Sequence, residues 1–149
     1  MVAFIGDCTT KLRAAGYTGI ISTVETVGTY QADPSLCGAV ESVIHANIHP
    51  YFNSGTTCEQ AGEFVVSQQN LLAGLCSKTV IISETGWPWD GGSDGDAVAS
   101  TEAQSTAITS IKEATNGQCT FFSYSNDAWK PAGVQQYFGM EPPFCVRSN

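Results

Sequence analysis

Residues 79–88 read Thr-Val-Ile-Ile-Ser-Glu-Thr-Gly-Trp-Pro, and this stretch constrains the fold more than any other. An apolar run from Thr79 to Ile82 stops at a carboxylate, Glu84, and Gly86, Trp87 and Pro88 follow at once. A strand covered on both faces reads as a continuous apolar run, and such strands belong to parallel sheets flanked by helices. Strand parity places Val80, Ile82 and Glu84 on one face. Trp87 and Trp89 offer flat apolar surfaces beside the carboxylate. The plainer alternative is a glutamate that caps a following helix.

The rest of the chain alternates in the way such a sheet requires. Ile5, Cys8, Leu12 and Ala15 recur at helical spacing, and Gly16 follows as a stop. Residues 19–25 predict a strand. Asp33-Pro34 reads as an N-cap with a first-turn proline, opening a short helix to about Val40. Residues 43–49 predict a second strand, closed by Pro50. Thr57-Cys-Glu-Gln60 resembles a capping box before a long helix, with Ala61, Phe64, Val65, Gln68, Leu72 and Leu75 on one face. Residues 79–84 form the third strand and residues 90–96 a flexible loop. Thr101-Glu-Ala-Gln104 is a second capping box, opening a helix that presents Ala103, Ala107, Ile108, Ile111 and Ala114 and stops at Asn116-Gly117. Residues 119–126 form the fourth strand, and a short helix near 132–138 and a loose tail follow. Alternating helices and strands predict an α/β fold with a parallel sheet, in one domain over residues 1–149.

Charge and cysteine content narrow the function classes. Acidic residues outnumber basic ones to give a net charge of −8, which disfavours nucleic acid and anionic membrane as partners. A neutral polysaccharide is indifferent to that charge. No apolar run approaches the roughly 18 residues of a membrane span, and the first residues lack the pattern of a signal peptide. Six scattered cysteines without a Cys-x-x-Cys pair fit an oxidising compartment, and their pairing stays open. His45 and His49 lie ~13 Å apart on one strand, too far to share a zinc ion. The acidic loop at Asp90, Asp94 and Asp96 lacks the calcium-loop pattern. No metal or cofactor is expected. Serine-hydrolase and phosphate-loop constellations are absent as well.

Three segments carry a family resemblance. Asn47-Ile-His-Pro-Tyr-Phe52, Ser83-Glu-Thr-Gly-Trp-Pro88 and Asp127-Ala-Trp-Lys130 resemble, in order, elements after strands six, seven and eight of glycoside hydrolase family 17. These are the β-1,3-glucanases and glucanosyltransferases of fungi and plants, and the spacing resembles a fungal member. The resemblance implies a TIM-type (β/α)8 barrel, of which this chain supplies only the C-terminal half, about four strands. Such barrels take about 250 residues. It also implies a retaining mechanism with two carboxyls about 5–5.5 Å apart. Glu84 is the implied nucleophile. Asn47, His49, Tyr51, Trp87, Asp127 and Lys130 are the implied substrate-binding residues. By its chemistry Lys130 can hydrogen-bond a nearby carboxylate or hold it ionised, and Asp127 can brace Lys130 or help position the acid. The plainer readings are a solvated Asp127–Lys130 pair and a His49 packed at a barrel mouth.

The family's acid/base is a glutamate in an Asn-Glu pair, and that pair does not occur in this sequence. The chain is therefore expected to begin just after it, and to be weakly active or inactive alone. Glu25, at another strand end, is the substitute acid to consider. Family members act outside the cell or in the cell wall. Two rivals remain: a glucan-binding module that stacks sugar on Tyr51, Trp87, Trp89 and Trp129 without turnover, and a truncated barrel that dimerises through open strand edges.

Overall fold

A computed structural model describes residues 1–140. The order is α1 (Val2–Ala14), β1 (Val24–Thr26), α2 (Val27–Ala32), α3 (Ser35–Ala39), β2 (Val43–Asn47), α4 (Ala61–Cys76), β3 (Thr79–Thr85), β4 (Ser93–Asp94), β5 (Ala97–Val98), α5 (Thr101–Ala114) and β6 (Cys119–Phe121). The main sheet is parallel, four-stranded and ordered β1-β2-β3-β6, with a helix in every crossover. This is the half-barrel arrangement that the alternation implies. The chain groups into two compact units. One holds residues 1–48 and 68–83, the other residues 49–67 and 84 onward.

In the first unit, α1 ends in a Schellman motif. Gly16 sits at φ +85°, Tyr17 N–H reaches Leu12 C=O, and Gly16 N–H reaches Arg13 C=O. Of the helix face expected to pack, only Ile5 is buried; Cys8 is half-buried, and Leu12 and Ala15 are exposed. The strand expected over 19–25 shrinks to Val24–Thr26. Before Val24 the backbone bonds to side chains instead of a ladder: Ile21 N–H donates to Glu41 Oε2 at 3.1 Å, and Ser22 Oγ donates to Val43 C=O at 2.7 Å. Thr26 then accepts from Thr29 N–H and starts α2, a helix that the β-branched run concealed. Asp33 Oδ1 takes the Ser35 N–H at 3.2 Å, but Pro34, not Asp33, stands in the cap position of α3, and Asp33 closes α2.

The registers Val24↔His45 and Thr26↔Asn47 fix β1 against β2. The other face of β2 supplies core through Ile44 and Ala46, joined by Leu36, Leu72, Val80 and Ile82. Cys37 and Cys76 form a disulfide. Lys78 Nζ caps the carbonyls of Cys37 and Val40 beside it. Leu75, expected on the packed face of α4, is exposed, and Cys76 occupies that place.

In the second unit, residues 50–52 make a 3-10 turn after β2. Gln60 Oε1 accepts the Thr57 N–H before α4, one half of the expected capping box. The segment expected to be a flexible loop folds as a hairpin, β4 against β5. Gly95 there has φ +60°, and a Cβ would lie 2.3 Å from Ser54 C=O, so only glycine fits. Ser100, not Thr101, caps α5 by accepting from Ala103 N–H at 3.0 Å. Gln104 is pulled into the core in place of closing the box. Asn116 (φ 50°) and Gly117 (φ 71°) complete a Schellman stop, and Ala114 is exposed.

β6 ends at Phe121, earlier than expected. Beyond it, Ser123 N–H donates to Phe138 C=O and Met140 N–H to Ser123 C=O, so the backbone pairs with residues 138–140. The expected helix near 132–138 is a 3-10 turn at Val134–Gln136. Cys8, Cys58 and Cys119 are free thiols among the described residues, and Cys145 and the end of the tail lie outside them. Among the described residues no helix is long and apolar enough to cross a membrane.

Candidate active site

The site is built where β3 runs out. Along this strand burial alternates through Val80 and Ile82, then slips: Ser83 and Glu84 are both partly exposed and Thr85 is fully buried. Parity alone therefore misplaces Glu84. Its side chain, 38% exposed, leaves the row of Val80 and Ile82 and approaches His49, with Oε2 and Nε2 3.5 Å apart. Thr85 C=O accepts the Phe122 N–H at 2.7 Å, and Gly86 follows against the same strand end. A Cβ on Gly86 would sit 2.3 Å from Phe122 C=O, so glycine is what lets the two backbones close.

His49 lies two residues beyond β2, which ends at Asn47 short of the expected 43–49, and immediately before Pro50. Its ring lies among three phenylalanines, with centroids 5.4 Å from Phe138, 5.9 Å from Phe122 and 6.1 Å from Phe52. Nδ1 is buried without a hydrogen-bond partner among the described residues. Burial pushes its pKa below the ordinary value. The Glu84 contact and charge oppose that shift, and the Lys130 charge adds to it.

Lys130 and Asp127 form an ion pair at 2.6 Å, with side chains only 19% and 20% exposed. They are thus sheltered, unlike a solvated surface pair. Asp127 N–H donates to Gln136 C=O, Lys130 N–H to Asp127 C=O, and Gln136 Nε2 to Lys130 C=O at 2.6 Å. Lys130 Nζ sits 4.7 Å from the Phe122 ring centroid and 5.5 Å from that of Trp129.

Two expected sugar contacts are corrected by burial. Trp87 is 0% exposed. Its Nε1–H donates to Val98 C=O at 2.9 Å, its ring meets Tyr51 edge-on at 5.3 Å, and its C=O accepts from Gln104 Nε2 at 2.8 Å. No face is left for a ligand. Tyr51 is also buried, and its hydroxyl donates to Gly92 C=O at 3.1 Å. Burial and the Asp94 charge raise its pKa. Both residues lock the hairpin beneath the site. Trp89 is partly exposed and donates to Asn126 Oδ1 at 3.0 Å, while Trp129 is 79% exposed.

Asn47 belongs to the first unit, where its Oδ1 accepts from Ser83 Oγ at 2.9 Å. The second unit thus brings together His49, Glu84, Asp127 and Lys130. Phe122 and Phe138 were not anticipated, and the paired aromatics of Cys119-Thr-Phe-Phe122 are the one signal that pointed their way. Among the described residues no three His, Cys, Asp or Glu side chains converge as a metal site.

A strand-end carboxylate thus lies beside a sheltered imidazole, and a sheltered lysine–aspartate pair belongs to the same unit. The family model for the BtgE/BtgC glycoside hydrolase domain matches residues 1–143. The chain belongs to that family.

Among relatives of this BtgE/BtgC domain, a probable β-glucosidase btgE of Aspergillus flavus is 44% identical over 143 residues. The match covers 93% of this chain and 24% of that protein. The Aspergillus terreus counterpart is 42% identical over 144 residues, covering 93% and 26%. The BtgE/BtgC domain therefore spans about a quarter of the length of these curated relatives. Among solved structures, the family 17 β-1,3-glucanosyltransferase of Rhizomucor miehei superposes with a TM-score of 0.77 at 23% identity. That superposition covers 93% of this chain and 51% of the other. An active-site mutant of the same enzyme with laminaritriose gives 0.78 at 22% identity. The likeness establishes the fold, a partial barrel of the family 17 type.

Proposed function

We propose that this domain carries the nucleophile half of a retaining glycosidase site acting on β-1,3-glucan, by hydrolysis or transfer, outside the cell or in the cell wall. The supporting observation is the Glu84 carboxylate, turned out of the strand alternation and held beside His49. The names of the solved neighbours point to β-1,3-glucan, and the relatives' name, probable β-glucosidase, points to a β-linked glucoside. In this reading Glu84 attacks the anomeric carbon and forms a glycosyl ester. Lys130, held by Asp127, places a cation over Phe122 beside the His49 ring. His49 borders the sugar, while Tyr51 and Trp87 are buried and hold the hairpin. No cofactor takes part.

A partner acid must protonate the leaving oxygen of natural glucan, and the Asn-Glu pair that would supply it is absent from this sequence. The isolated chain is expected to release little or no reducing sugar from soluble β-1,3-glucan. An activated laminari-oligosaccharide with a fluorine at C2 and a dinitrophenolate leaving group needs no such acid. It should leave a covalent adduct on Glu84, located by mass spectrometry and absent in Glu84→Gln. Adduct on another residue, or none, would reject the assignment. Full turnover of natural glucan by the isolated chain would reject the dependence on a missing acid and turn attention to Glu25.

A second reading, glucan binding without turnover, draws on the exposure of Trp129 and Tyr124. It predicts retention on insoluble glucan that Trp129→Ala abolishes, with no adduct formed.

A further inference from the structure

We propose that His49 is the positioning residue of Glu84: a neutral imidazole, held by three phenylalanine rings, whose Nε2–H donates to Oε2 and leaves Oε1 free to attack. The role is distinct from sugar contact and rests on the reading of Glu84 as nucleophile.

Three observations carry it. The first is direction: Nε2 faces Oε2 at 3.5 Å, and no other side chain among the described residues is seen to bond that carboxylate. Contacts of this kind in an unliganded site tighten when substrate binds. The second is fixation. Phe52, Phe122 and Phe138 surround the ring, and Phe138 itself is fully buried, so the imidazole has little freedom to swing towards a ligand. The third is the tautomer. Nδ1 is buried without a partner, which suits a lone pair better than an N–H. With the single proton on Nε2, the ring faces Glu84 as a donor.

The surrounding charges favour the neutral ring on balance. Glu84 draws a proton towards the imidazole, while burial and the Lys130 ammonium oppose it. Asp127 faces Lys130 and moderates that ammonium. A neutral donor orients a carboxylate with less loss of nucleophilicity than an imidazolium ion pair, because it does not neutralise the attacking charge.

The test is an NMR titration of the ring nitrogens in the protein as it stands. The sequence holds two histidines, so His49→Gln identifies which signals belong to residue 49. The expected result is a neutral Nε2-protonated His49 at pH 7. Glu84→Gln should weaken its proton affinity at least threefold and Lys130→Gln should strengthen it by a similar factor. A midpoint that Glu84→Gln leaves unchanged, or a ring charged at pH 7, would overturn the proposal. The second arm follows labelling of Glu84 by the activated fluoro-sugar. His49→Ala should slow labelling tenfold or more at saturating reagent with little change in half-saturation, and His49→Gln, which keeps an N–H donor, should restore most of the rate. Equal rates in all three proteins would also overturn it. Absence of labelling in the unsubstituted chain would reject Glu84 as nucleophile, while the titration would still decide whether His49 holds it.

Discussion

With its indole enclosed and its Nε1–H committed to Val98, Trp87 anchors the segment that follows Glu84. Its loss should register as unfolding before anything else. Trp87→Ala is expected to cost about 3–5 kcal/mol, read from the urea midpoint by circular dichroism. Unchanged stability with lost glucan retention would instead make Trp87 a sugar contact. The two tryptophans of Gly86-Trp-Pro-Trp89 look equivalent in sequence, since no period tells which one turns inward. Only the hairpin carbonyl at Val98 and the ring of Tyr51 decide it, and both are distant in the chain. Glu84 was legible because packing alone rarely sets a charged carboxylate at the end of an apolar run. The direction of its side chain was not, since the slip in alternation arises where β3 closes on Phe122.

At the scale of elements, helix ends were read best and strand ends worst. Asn116-Gly117 and Gly16 stop their helices as local chemistry dictates, because a left-handed residue needs only its own backbone. β1 is shorter than its β-branched sequence suggests because Glu41, twenty residues on, takes the Ile21 N–H. The start of α5 shows a subtler competition. Thr101 with Gln104 satisfies the capping-box pattern, yet Gln104 Nε2 is bonded to Trp87 and Gly139 carbonyls in the core, leaving Ser100 to cap. Ser100→Ala should therefore destabilise the protein by about 1 kcal/mol, and Thr101→Ala by a few tenths at most. Thermal melts of the two variants side by side check this, and the reverse order would restore Thr101 as the cap.

At the scale of the whole molecule, the main sheet among the described residues ends at β1 on one side and β6 on the other. Unpaired edges seek partners, and Val24 on β1 is also exposed. Association of two chains through these edges is the expected state at high concentration, seen by sedimentation as a species heavier than one chain. A single monomeric boundary across a hundredfold dilution series would refute it. The parallel alternation was readable from the sequence because each crossover holds its own helix signal. The disulfide partners were not, because six cysteines leave the pairing open and the Cys37–Cys76 bond joins helices that only the fold brings together. That bond has a consequence for the order of biosynthesis. Every residue of the first unit, both of its bridged cysteines included, precedes Glu84. At ribosomal speeds the segment 84–149 takes roughly 3–13 s to synthesise, and disulfides form in seconds or longer. Oxidation of Cys37 and Cys76 thus falls in the same interval as translation of residues 84–149, so under oxidising conditions the first unit can be locked covalently while the later helix and strand of the second are still being made.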